Sequence, residues 1–98
     1  MSDDYNLHRF LTAQASTYDR VLAELRCGRK SSHWIWFIFP QIAGLGHSAM
    51  AKQFAISSLD EAKAYLHHPV LGRRLRECTQ LVLDVNGRSA EEIFGYPD

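Results

Sequence analysis

The sequence has few cysteines, no excess of either charge and no long apolar run, and each shortage removes a class of function. Its only cysteines, Cys27 and Cys78, stand too far apart for a disulfide framework or a CxxC metal site, which suits a reducing compartment. Eleven basic residues balance eleven acidic ones, so no net field draws the chain to nucleic acid, and no nucleic-acid partner is expected. The opening MSDDYNLHRF has no basic flank followed by an apolar run, and no later stretch reaches the length of a membrane span. A cytoplasmic location without a membrane partner follows as the expectation. No repeat, low-complexity tract or linker interrupts the chain, so residues 1–98 read as a single helical domain.

What is present is apolar and helical in spacing. At 46% hydrophobic, 98 residues can form a small core, although a chain this short is only marginally self-sufficient. Asn6 is placed to cap a first helix carrying Leu7, Phe10 and Leu11 on one face. Ser16 opens a second, with a stripe at Tyr18, Val21, Leu22 and Leu25 and a stop at Gly28. Ser48 caps a short helix through Met50, Lys52 and Phe54, and Ser58 with Glu61 forms a capping box before Leu59, Ala62 and Leu66. Pro69 suits the first turn of the next helix, whose buried face reads Leu71, Leu75, Cys78, Val82 and Val85. Asn86 and Gly87 end it, and Ser89 with Glu92 makes a second capping box before Ile93, Phe94 and Gly95.

The stretch HWIWFIFPQ, residues 33–41, is the exception, because its aromatic and β-branched residues favour a strand by propensity. The other strand candidate, QLVLDV at 80–85, already fits a helical face, and an isolated two-stranded ribbon is weak. Residues 33–39 therefore read as a buried helical turn or extended plug, started by Ser31 or Ser32 and stopped by Pro40.

The patterns HWxWFxFPQ at 33–41 and GLGxSxxA at 44–51 resemble those of a family of small bacterial proteins of unknown function. This is the family of the mycobacterial hypothetical-protein type, sometimes labelled calpastatin. The resemblance is loose over residues 7–14 and close from Tyr18 to Asp98. It implies a mainly α fold, a small bundle of short helices. It also implies a C-terminal truncation, since family members continue past Gly95–Asp98 with further helical sequence. A missing segment would leave apolar surface to be hidden by another chain, by rearrangement or not at all, so self-association is one outcome open to a truncated chain. The composition is that of a compact globule, unlike the long disordered inhibitors that the label names. The resemblance implies no function.

Candidate chemistry gathers at the two ends of HWIWFIFPQ. Trp34, Phe37 and Ile38 read as core, while Trp36 with His33 and Gln41 could wall a pocket for a planar ligand. The loop that follows places Gly44 and Gly46 just ahead of a helix start at Ser48, with His47 between and Lys52 one turn on. Free backbone N–H groups there can hold an anion. Against this, glycines also serve tight turns and Ser48 also serves as a plain cap, and the loop lacks the GK[ST] of a P-loop. His67 and His68 diverge because they are adjacent, so no metal and no cofactor is expected. Cys27, at a helix end, makes a poor nucleophile, and Cys78 falls on an apolar face. Arg26, Arg29 and Lys30 complement the end of the second helix, and Arg73, Arg74 and Arg76 read as a solvated face with Glu77.

Three functions remain open. The first is a binding module for an anionic or nucleotide-like small molecule at His33, Trp36, Gln41, Gly44, Gly46, His47, Ser48 and Lys52. The second is a hydrolase-type enzyme on such a ligand, with His33 or His47 as general base. The third is a structural or interaction protein without a small-molecule site.

Overall fold

The computed structural model describes residues 5–85, and within them the apolar spacing resolves into helices. Six form: α1 (His8–Ala15), α2 (Tyr18–Arg26), α3 (Ile35–Ile38), α4 (Ala49–Gln53), α5 (Leu59–His67) and α6 (Leu71–Leu83). Among the described residues there is no strand, only an isolated parallel bridge between Ile42 and Ile56. The mainly α fold expected from the sequence is the one found. Asn86, Gly87 and the capping box at Ser89 and Glu92 lie outside the described residues.

α6 is the longest helix and the common support, packing against α5, α2 and α3, while α1 packs on α3. Its stripe seats Leu71 and Cys78 out of solvent, with Leu75 and Val82 partly covered. Phe10, Val21, Leu25 and Trp34 complete the centre, each at most 1% exposed. Phe10 meets Tyr65 edge-on at 5.0 Å and Phe54 at 5.6 Å, the tilted arrangements that aromatic rings favour.

The helix ends differ in part from expectation. Ser48 caps α4 by accepting from the Ala51 N–H, and Ser58 caps α5 by accepting from the Glu61 N–H. The end of α2 is a Schellman motif: Gly28 takes φ 73°, and the N–H groups of Gly28 and Arg29 donate to the carbonyls of Leu25 and Glu24. Asn6 does not cap α1. It adopts φ 51°, and its carbonyl instead accepts from Arg9, whose guanidinium also binds Tyr5, Gln53 and Ala55 carbonyls and Glu61. Ser16 does not open α2 either, because it closes α1, and Thr17 returns its hydroxyl to the Ala13 carbonyl. Two helices joined this tightly leave no residue free to serve as a side-chain cap.

α5 meets α6 closely at Gly72, where an added Cβ would lie 2.1 Å from the Leu66 carbonyl oxygen. Helix propensity alone makes Gly72→Ala stabilising by about 1 kcal/mol. The packing predicts the reverse sign: a fall in Tm of at least several degrees, at about 4–8 °C per kcal/mol for a chain this size. Thermal melts of the two proteins decide it, and a rise in Tm would show that the helices separate without cost.

Candidate functional site

HWIWFIFPQ is placed by a carboxylate that sequence spacing did not single out. Glu24 lies on the inner face of α2, 8% exposed, and accepts four hydrogen bonds. The Ser31 and Ser32 N–H groups reach its Oε1 at 2.7 and 2.9 Å, the Trp34 indole N–H reaches the same oxygen at 2.9 Å, and the Ser32 hydroxyl reaches Oε2 at 2.7 Å. Ser31 and Ser32 therefore hold Glu24 rather than capping α3, whose N-cap Trp34 makes no side-chain cap bond. Burial works to raise the Glu24 pKa, but the bonds from Ser32, Ser31 and Trp34 outweigh it and bring the group down to about 2.

Trp34 is thereby fixed in the core, 1% exposed, with Phe37 and Ile38 buried beside it. α3 is a single turn, ended by Phe39 and Pro40 as expected. The Phe37 carbonyl is met by buried Gln14, whose amide donates at 2.7 Å and also to the Tyr65 hydroxyl at 3.3 Å, while its oxygen accepts from Arg74. Arg74 lies over the Tyr18 ring, and Lys30 over the Trp34 ring with 9% exposure. Arg74 thus departs from the solvated face expected of it, its charged head lying on an aromatic ring and within hydrogen-bond reach of Gln14.

The Tyr18 hydroxyl donates to Glu77, and burial followed by that bond pushes its pKa well up. Burial also pushes Tyr65 to about 12 and raises the Cys78 thiol.

The eight candidate ligand residues fall into two groups by contact. His33 is exposed and stacks on half-buried Trp36, with ring centroids 6.5 Å apart at 28°. Gln41 belongs with the glycine loop: a Cβ on Gly46 would stand 3.0 Å from its Oε1 and 2.5 Å from Ala51 Cβ. Gly46 thus permits a close approach of loop to helix, and Gly44 takes φ +95° in the turn. His47 and Lys52 are exposed, and Ser48 caps α4, which is five residues long. The bridge, in which the Ile56 N–H donates to the Gln41 carbonyl and the Ala43 N–H to the Ile56 carbonyl, anchors the base of this loop.

Beside that bridge lies an apolar face. A recess of about 290 Å³ is lined by Ile42, Ile56, Ser57, Ser58, Leu59 and Ala62, and a second, of about 170 Å³, by Pro40, Ile56, Ala62, Tyr65, Leu66 and Leu75. Ile42 and Leu59 project from the rim, 68% and 70% exposed. No group of three metal-ligating side chains occurs among the described residues, and none of their helices is long and apolar enough to cross a membrane.

The model of the family described as "Protein of unknown function (DUF1810)" matches residues 4–98. Among solved structures, the chain is similar to the conserved hypothetical protein Rv1873 from Mycobacterium tuberculosis. The two share 59% identity and a TM-score of 0.95, over 98% of this chain and 69% of that one. No curated protein matches the sequence.

The lowered Glu24 pKa fixes the sign of an acid effect. A carboxyl held at about 2 when folded and near 4.5 when unfolded adds stability above the unfolded value and loses it as pH falls toward the folded one. A shift of that size corresponds to a loss on the order of 3 kcal/mol between about pH 5 and pH 2. Glu24→Gln leaves several donors facing an amide, so urea unfolding is expected to show it less stable by a similar amount at pH 7. The gap narrows below pH 4. A constant gap from pH 7 to pH 3 would show that the charge contributes nothing.

Proposed function

The chain belongs to the DUF1810 family of proteins of unknown function, and we propose that it acts as an interaction module whose apolar face pairs with a second copy of the chain. The observation that carries this reading is the pairing of projections with recesses on one face. Ile42 and Leu59, both well exposed, line one of two hollows that share Ile56 and Ala62 as walls. Exposed apolar surface costs about 25 cal/mol for each Å² left in water, and a contiguous patch of it marks a contact site. A patch with its own knobs and hollows is suited to a twofold interface, where each copy fills the other's recess.

The stacked, accessible pair of His33 and Trp36 supports a second reading, a site for an anionic, nucleotide-like small ligand on the same scaffold. Its aromatic faces could stack a base. Hydrolysis there has less support, because neither His33 nor His47 contacts a carboxylate among the described residues.

Sedimentation equilibrium tests the first reading. The native chain is expected to dimerise at high micromolar concentration, and the double variant Ile42→Ser, Leu59→Ser to remain monomeric with little change in Tm, since both side chains are already exposed. A native chain that stays monomeric would overturn the pairing. For the second reading, titration with ADP-ribose is expected to shift tryptophan fluorescence saturably, with the response lost in His33→Ala. An unchanged spectrum would remove it.

A further inference from the structure

The corner between α5 and α6 is fastened by one imidazole. His68 leaves α5 with φ −64° and ψ 131°, the extended backbone of a helix N-cap, and its carbonyl accepts from the Gly72 N–H at 3.0 Å. Its Nδ1 accepts from the Val70 and Leu71 N–H groups at 3.1 and 3.2 Å. Pro69, between them, has no N–H to satisfy and suits a first helical position. One residue therefore meets every backbone donor from 69 to 72, the task that serine or asparagine usually performs. Val70, the residue before α6, makes no side-chain cap bond of its own.

An imidazole differs from those caps in that protonation removes its lone pair. Nδ1 accepts only while it carries no hydrogen, so the capping form is the neutral ring with its hydrogen on Nε2. Protonation turns the acceptor into a donor facing two donors, and it sets a positive charge at the positive end of the α6 dipole. Leu71 is fully buried, so its released N–H finds no ready replacement in water.

The charges around the corner add to that effect. On α6, Arg73, Arg74 and Arg76 precede the first carboxylate, Glu77, which accepts from Tyr18. The Arg76 guanidinium reaches back to the Leu66 carbonyl at 3.3 Å, and Arg74 is held by Gln14 and the Tyr18 ring. On α5, Lys63 and His67 are basic, while Asp60 and Glu61 stand in the first turn, roughly 10 Å from His68 along the axis. Glu61 is paired with Arg9. α3 carries no charged residue, and α2, with Asp19, Arg20, Glu24 and Arg26, meets α6 further along, at Glu77 and Cys78. No carboxylate stands within ion-pair distance of His68 among the described residues.

We propose that His68 is an acid-sensitive latch: the neutral ring caps α6 and fixes the α5–α6 corner, and the protonated ring releases the first turn of α6. The stability it gives is present above the range in which histidines titrate, about pH 8 to pH 5, and is lost as the pH falls through it. His67, exposed at the negative end of α5, gains from a positive charge instead and serves as the control.

NMR on the full chain tests the latch. Between pH 8 and pH 5 the Val70 and Leu71 amide proton signals are expected to move upfield with the midpoint of the His68 ring signal. His68→Asn keeps an acceptor where Nδ1 stands and does not titrate, so in that variant the two amides are expected to hold still. Its Tm, near the native value at pH 8, is expected to exceed it by about 4–8 °C at pH 5. His67→Asn is expected to behave as the native chain does. Glu24 is common to all three proteins, so its own titration cancels in the comparison. The amide shifts need no substitution, so they decide the matter even where a variant fails to fold. Amides indifferent to the His68 titration, native and His68→Asn chains losing Tm in parallel, or a pH dependence removed by His67→Asn instead would each overturn the proposal.

Discussion

The carboxylate of Glu24 binds one end of the core to the other. An ionised group that has left water must be met by donors or it lowers stability by several kcal/mol, and here the donors come from the segment that leads into HWIWFIFPQ. The Ser31 and Ser32 N–H groups turn the backbone inward, and the Trp34 indole follows them to the same oxygen. The next turn, α3, then has its register set: Phe37 and Ile38 point to the core, and Trp36 is left half-covered beside His33. Lys30 lies over the Trp34 ring.

Two further buried polar groups act in the same way. Gln14 ties α1 to the Phe37 carbonyl, to Tyr65 on α5 and to Arg74 on α6. Glu61 joins α5 to Arg9 and to the Ser57 N–H, and Arg9 in turn satisfies carbonyls on both sides of the 53–55 turn. No buried side-chain polar atom among the described residues lacks a partner. Helices as short as α3 and α4 gain little from their own hydrogen bonds, so cross-links of this kind and the apolar contacts around them hold the segments together. The fold can then leave its apolar face at Ile42 and Leu59 free of structural duty.

Much of this was legible in the sequence. Apolar spacing located α2, α5 and α6, and the Ser48 and Ser58 caps follow from a rule with a local mechanism. The Gly28 stop is equally local. Asn6 and Ser16 are not the caps their positions suggest, because the competing partners, the Arg9 guanidinium and the Ala13 carbonyl, are decided by the path of the chain. The polar residues that organise the core did leave a trace: Gln14 stands four residues after Phe10, Glu24 three after Val21, and Glu61 four before Tyr65, each on an apolar face where a charge or amide needs a buried partner. What spacing could not supply is the partner itself, which lies in another segment. The candidate site was legible only in part for the same reason. The contact of His33 with Trp36 is local, whereas the apolar recesses join Pro40 to Leu75.

The assignment of HWIWFIFPQ as a segment held in the core by Glu24 is tested most directly by hydrogen exchange at the two tryptophan indoles. NMR follows both Nε1–H signals in D₂O. The Trp34 signal is predicted to persist long after that of Trp36 has exchanged, and its protection to collapse as pH falls through the range in which Glu24 takes up its proton. Two indoles exchanging at similar rates, or a Trp34 signal indifferent to that titration, would contradict the account.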